Sequence, residues 1–133
     1  MPPVFPDVEA IVIRFLRERL PDGIEYGTFV PHDYDGANPF VIVHRIGGYM
    51  KWPALDNATV EIEVWSESRE HGHDVAQLVA SELMGTNLTG SPFARVVVIA
   101  GLVFMVEDLS ELSQWVGTYQ ISVRPERGLT HGA

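Results

Sequence analysis

Apolar and polar positions alternate along this chain with two different periods. Over residues 7 to 20, DVEAIVIRFLRERL, the residues Val8, Ile11, Val12, Phe15, Leu16 and Leu20 recur at helical spacing and form one apolar stripe. Asp7 can cap the helix start, Glu9 suits its first turn, and Pro21 and Gly23 stop it. A second helical stripe, Val75, Leu78, Val79 and Leu83, predicts a helix over 68 to 84, with Gly85 as its end. Between them the period changes to two. Val60, Ile62 and Val64 face one way and Thr59, Glu61, Glu63 and Trp65 the other, the mark of a half-buried strand over 59 to 67.

Further strands are expected at 24 to 30, 39 to 46, 96 to 106 and 118 to 124. The run VVVIAGLVFMV from Val96 to Val106 reads as a buried strand bent at Gly101. The segments 31 to 39, 47 to 58 and 107 to 117 read as connections. The order helix, strands, helix, strands predicts an α+β fold. It is a single two-layer domain over 1–133, with a predominantly antiparallel or mixed sheet and two helices on one face. The termini, about 1–5 and 126–133, are expected to fray.

Composition narrows the function. The chain has 133 residues, is 46% hydrophobic and has no cysteine, so one core without disulfides or thiolate chemistry is expected. The absence of cysteine fits a reducing compartment. With 18 acids against 9 bases the formal charge is −9, which opposes binding to a phosphate backbone. No apolar run approaches the ~20 residues of a membrane helix, and MPPVFPDVEA has no signal-peptide pattern.

Candidate chemistry is sparse. EHGHD groups Glu70, His71, His73 and Asp74. Histidines two apart on a helix point in different directions and do not chelate one ion as an i, i+4 pair does. The cluster therefore reads as a strand-to-helix joint with acids in the first helical turn, and a small metal-dependent hydrolase built on it is the weakest reading. DYDGAN resembles the start of a calcium loop, but Ile42 stands where that loop needs its final Glu. His32, His44 and His131 have no cysteine partner and no evident Ser/His/Asp order, and phosphate-loop and nucleophile-elbow motifs are absent. No catalytic residue, metal or cofactor is assigned.

The stretch YMKWPAL is more informative. It places Tyr49, Met50, Trp52 and Leu55 between two strands, where polar residues are usual, and so suggests a subunit contact. Trp65, on the acidic side of its strand, and Trp115, in the 107–117 connection, are further candidates. Between Asp56 and Glu82 there are seven acids and one base, Arg69.

The stretches F-P-D-V-E-A, P-F-V-I-V-H-R-I-G-G, V-E-I-E-V-W-S, R-E-H-G-H-D-V-A and G-T-Y-Q-I-S-V-R-P follow one another in an order that resembles small tail terminator proteins of long-tailed phages. These are also described as tail-completion or head–tail joining proteins. The resemblance runs from Phe5 to Pro125. It implies a structural virion protein that forms a homo-oligomeric ring, usually a hexamer, on the end of the tail tube. Such a ring ends tube polymerisation and offers a surface to the head connector or completion protein. DNA passes through its lumen without specific binding. The protein would reside at the head–tail junction of the virion, and in the host cytoplasm during assembly. A head-completion, connector or other minor tail protein of the same particle is the alternative.

Overall fold

The computed structural model describes residues 2–106 and 111–126. Helix α1 spans Val8–Arg19, and the Asp7 side chain accepts from the backbone N–H groups of Glu9 and Ala10, as its sequence position predicts. Strands β1 (Glu25–Gly27), β2 (Phe40–Lys51) and β3 (Leu55–Ser66) follow, then α2 (Arg69–Thr89), β4 (Arg95–Val106) and β5 (Ser113–Val123). The five strands form one sheet in the order β1-β2-β3-β5-β4. β1 lies parallel to β2 and the remaining pairs are antiparallel, so the sheet is mixed. The α+β expectation with two helices is met.

The core lies between the helices and one sheet face. Val12 and Leu16 of α1 and Val75, Val79 and Leu83 of α2 pack with Val41, Val43, Val60, Val64 and Ile121. The alternation in β3 accounts for this arrangement, since Val60, Ile62 and Val64 are all fully buried while their neighbours Glu61, Glu63 and Trp65 are half-buried on the opposite face.

Several elements differ from the sequence expectation. α2 continues past Gly85 to Thr89. Buried Thr86 extends its inward stripe, and Gly90, at φ +68°, supplies the left-handed cap. β2 and β3 are longer than expected and meet in a tight hairpin instead of a long connection. A bulge leaves Ile46 without a partner between Arg45 and Gly47, and the strand then resumes through Gly48. Gly48 sits at φ +117°, and a Cβ there would lie 2.2 Å from the Asn57 carbonyl oxygen, so only glycine fits. β4 is an edge strand, so its apolar run is largely exposed instead of buried, and its register shifts fall between Val98 and Val103, around Gly101. β5 begins at Ser113, five residues earlier than expected, because it pairs with the whole of β3. Trp115 is therefore in the core, 8% exposed, and not on an exposed connection. Residues 107–110 and 127–133 of the expected connection and tail lie outside the described residues.

Burial also raises the hydroxyls of Tyr119 and Tyr34. Tyr119, enclosed under the helices, is raised to about 12 by desolvation. Tyr34, in the loop before β2, is also raised to about 12, by desolvation and by the carboxylates of Glu25, Asp35 and Glu67. Its hydroxyl bonds to the carbonyls of Asn38 and Trp65, pinning the loop to the end of the sheet. In the unfolded chain both ionise near 10, so above that pH the unfolded state holds fewer protons and stability falls. Their contribution is complete below pH ~10 and is lost as pH rises through about 12. Urea midpoints measured at pH 8, 10 and 11 should be level at first and then drop, and Tyr119→Phe should flatten the drop.

Candidate assembly surfaces

EHGHD is the strand-to-helix joint expected from its sequence. Ser68 caps α2 by accepting from the His71 backbone N–H at 3.1 Å. Gly72 packs against Trp115, whose indole Nε1 donates to the Arg69 carbonyl at 3.0 Å. The Arg69 guanidinium lies over the rings of Phe104 and Trp115, and His73 meets Trp115 edge-on at 4.8 Å. His73 is also 3.5 Å from Asp74, while His71 is exposed on another side of the helix. The two histidines thus support a joint and do not converge on one point.

The YMKWPAL stretch forms the distal half and turn of the β2–β3 hairpin. Tyr49, Met50 and Trp52 are 59%, 53% and 61% exposed, and Leu55 is half-buried at the start of β3. Here, among the described residues, β2 has no neighbouring strand on its outer side, because β1 pairs only with Phe40, Val41 and Ile42. At the opposite edge of the sheet, β4 exposes Val98, Ile99, Val103, Met105 and Val106. Single exposed apolar residues need no explanation, but two rows of them on strand edges are sites where another chain can pair.

The third surface is the sheet face away from the helices. The register sets Phe40, Ile42 and His44 of β2 beside Trp65, Glu63 and Glu61 of β3, with Gln114, Val116 and Thr118 of β5 on the other flank. His44 Nε2 lies 3.2 Å from one Glu63 oxygen, and Trp65 Nε1 donates to the other at 3.0 Å. His44 is thus not isolated. The signal for its partners was available, since Glu61 and Glu63 stand two apart on an alternating strand, but the pairing strand and its register were not. On the opposite, helix-facing side the Arg45 guanidinium holds Asp56 through two bonds of 2.6 and 2.8 Å at the edge of the core.

Among the described residues, four side chains have clearly shifted titration. Tyr26, Tyr34 and Tyr119 are raised mainly by burial, and Arg45 is raised first by its bond to Asp56. All four move away from neutrality, the opposite of what a general acid or base at neutral pH needs. Among the described residues, no helix is long and apolar enough to cross a membrane.

The family model for phage tail termination protein matches residues 4–128. Among curated proteins, none matches the chain in sequence. Among solved structures, a chain in the virion of a native gene transfer agent particle has a similar fold, with a TM-score of 0.55 and 18% identity over 88% of this chain and 94% of that one. The family match spans both helices and all five strands, including the hairpin and the β4 edge, and identifies a structural component of the virion tail. The chain belongs to the phage tail termination protein family.

Proposed function

We propose that the protein assembles into a closed ring, usually a hexamer in the family it resembles, that caps the tail tube, ends its polymerisation and presents a surface to the head connector or completion protein. The role is structural. The observation that carries this reading is the presence of two different apolar edges on opposite sides of one sheet: the hairpin arm with Tyr49, Met50 and Trp52, and the β4 row with Val98, Ile99 and Val103. A head-to-tail interface joins two unlike patches and closes by rotation, whereas a two-fold dimer joins one patch to itself. The arm of one subunit meeting the β4 edge of the next satisfies both. Leu55 lies beside the turn at the tip of the arm, paired with Lys51, where it would border that contact, whereas Trp65 lies on the open face at the other end of β3, paired with Phe40. Trp115 is enclosed and plays no part in the contact. The acidic balance suits a lumen through which DNA passes without adhering.

Native mass of the purified protein, alone and with assembled tube protein, tests the proposal. A closed ring, free or on tube ends only, supports it. A monomer indifferent to the tube overturns it in favour of a head-side part. Trp52→Ala removes an exposed aromatic anchor, and a hot-spot loss of about 2 kcal/mol corresponds to roughly 30-fold weaker subunit association. Rings that form at unchanged concentration with Trp52→Ala would show that the arm is not the interface.

A further inference from the structure

We propose that His44, Glu61 and Glu63 bind one divalent transition-metal ion of the zinc type on the open face of the sheet. The three residues come together through the β2–β3 register. His44 pairs directly with Glu61, and Glu63 follows two positions along the same face. One ligand atom from each lies within 4.8 Å of the other two. Ligand atoms around a tetrahedral ion with bonds of ~2.1 Å stand roughly 3.4 Å apart. His44 Nε2 and Glu63 Oε2, at 3.2 Å, already have that spacing. The Glu61 carboxylate, within 4.8 Å of both, has only to close the difference to that spacing.

The surroundings prepare the site in two further ways. Trp65 Nε1 donates to Glu63 Oε1, which fixes the carboxylate and leaves Oε2 directed at His44. Metal-bound carboxylates characteristically have such an outer partner. The Glu63 side chain is only 15% exposed, and β3 is flanked by β2 and β5, so this ligand is held on a rigid element. The nearby arginine does not compensate the two acids, because Arg45 is committed to Asp56 on the other face. One imidazole and two carboxylates without sulfur favour zinc, cobalt or nickel over calcium or magnesium, which prefer oxygen alone. Three protein ligands leave a coordination position for water or for a group from another chain. The site does not depend on the ring proposal.

Calorimetric titration of chelator-treated protein with zinc, and the visible absorption of the cobalt form, test this proposal. The expected result is one ion per chain. His44→Gln and Glu61→Gln should each weaken binding at least about 30-fold, and Trp65→Phe about tenfold as the loss of an outer partner. The double variant His71→Ala/His73→Ala should bind as the natural protein does. Both single ligand variants are at partly exposed positions, and circular dichroism checks their fold. Nitrogen-15 spectra of the natural protein give an answer that needs no variant, because zinc should move the His44 Nε2 resonance. Binding retained in Glu61→Gln, an unmoved His44 resonance, or less than one ion per chain at millimolar zinc would each overturn the site and leave an ordinary cross-strand His–Glu pair.

Discussion

Arg45→Ala is expected to destabilise the fold by about 3 kcal/mol, far more than the loss of a surface ion pair. Its partner Asp56 is 2% exposed and sits near the hairpin-turn end of β3 on the helix-facing side, where Ala58 and Val60 continue the same buried row. Both carboxylate oxygens are held by the Arg45 guanidinium, at 2.6 and 2.8 Å. The same residue also ties its surroundings together. Its Nε donates to the Gly47 carbonyl across the bulge, and its backbone N–H donates to Glu9 of α1 at 2.7 Å. Truncation leaves a buried carboxylate without its counter-ion, and that penalty, not the lost attraction, dominates. Arg45 is itself partly exposed, so water entering the vacated space keeps the cost near the lower end of the 3–5 kcal/mol typical of broken buried pairs. Urea unfolding should show the midpoint falling by about 1–3 M with an unchanged slope. The double variant Arg45→Met/Asp56→Leu removes both charges and should recover more than half of the loss. A cost below about 1 kcal/mol for Arg45→Ala would mean that the pair behaves as an exposed bridge.

Arg45 also shows where sequence reading stops. In R-I-G-G-Y-M-K the glycines and the absence of alternation resemble a loop, yet the strand runs on through them because a one-residue bulge at Ile46 restores its register. A bulge leaves no local apolar signature, so only the partner strand reveals it. The segment S-Q-W-V-G was misread for a related reason. Trp115 looks like an exposed aromatic in a polar stretch until β5 is seen paired with β3 from Ser66 to Asp56. The Val96–Val106 run has the opposite problem: an edge strand with apolar residues on both faces reads as a buried one. By contrast, α1 and β3 were legible because their periodicity is the physical cause of their burial. The strand-to-helix joint at EHGHD was legible from spacing alone. The His44–Glu61–Glu63 grouping was not, since it exists only in the register between two strands.

Phe93→Ala should cost about 3–5 kcal/mol, although the residue lies outside every helix and strand. Phe93 is 0% exposed and is among the largest fully buried side chains of the fold. It follows the α2 cap at Gly90 and meets Phe15 of α1 edge-to-face at 5.5 Å, so the short connection from α2 to β4 supplies packing against α1. The backbone around it is fixed independently. Ala94 N–H donates to the Ser122 carbonyl at 2.8 Å, and Arg124 donates to the Gly90 carbonyl at 2.9 Å. These anchors prevent the connection from collapsing into the space left by a missing ring, which places the cost in the range for cavities that do not close. Phe15 would lose its partner on one side while Arg19 remains stacked on its ring at 4.5 Å. A thermal midpoint lower by roughly 12–20 °C is expected, at about 4 °C per kcal/mol for a chain of this size. Phe93→Leu, which retains most of the volume, should lose less than half as much. A Phe93→Ala loss below about 1.5 kcal/mol would show that the α1 end of the core is packed by the helices alone. If the full loss appears while rings still form at high protein concentration, stability at this end of the core and assembly at the hairpin arm are separate properties of the fold, as the distance in sequence and sheet position between Phe93 and Trp52 implies.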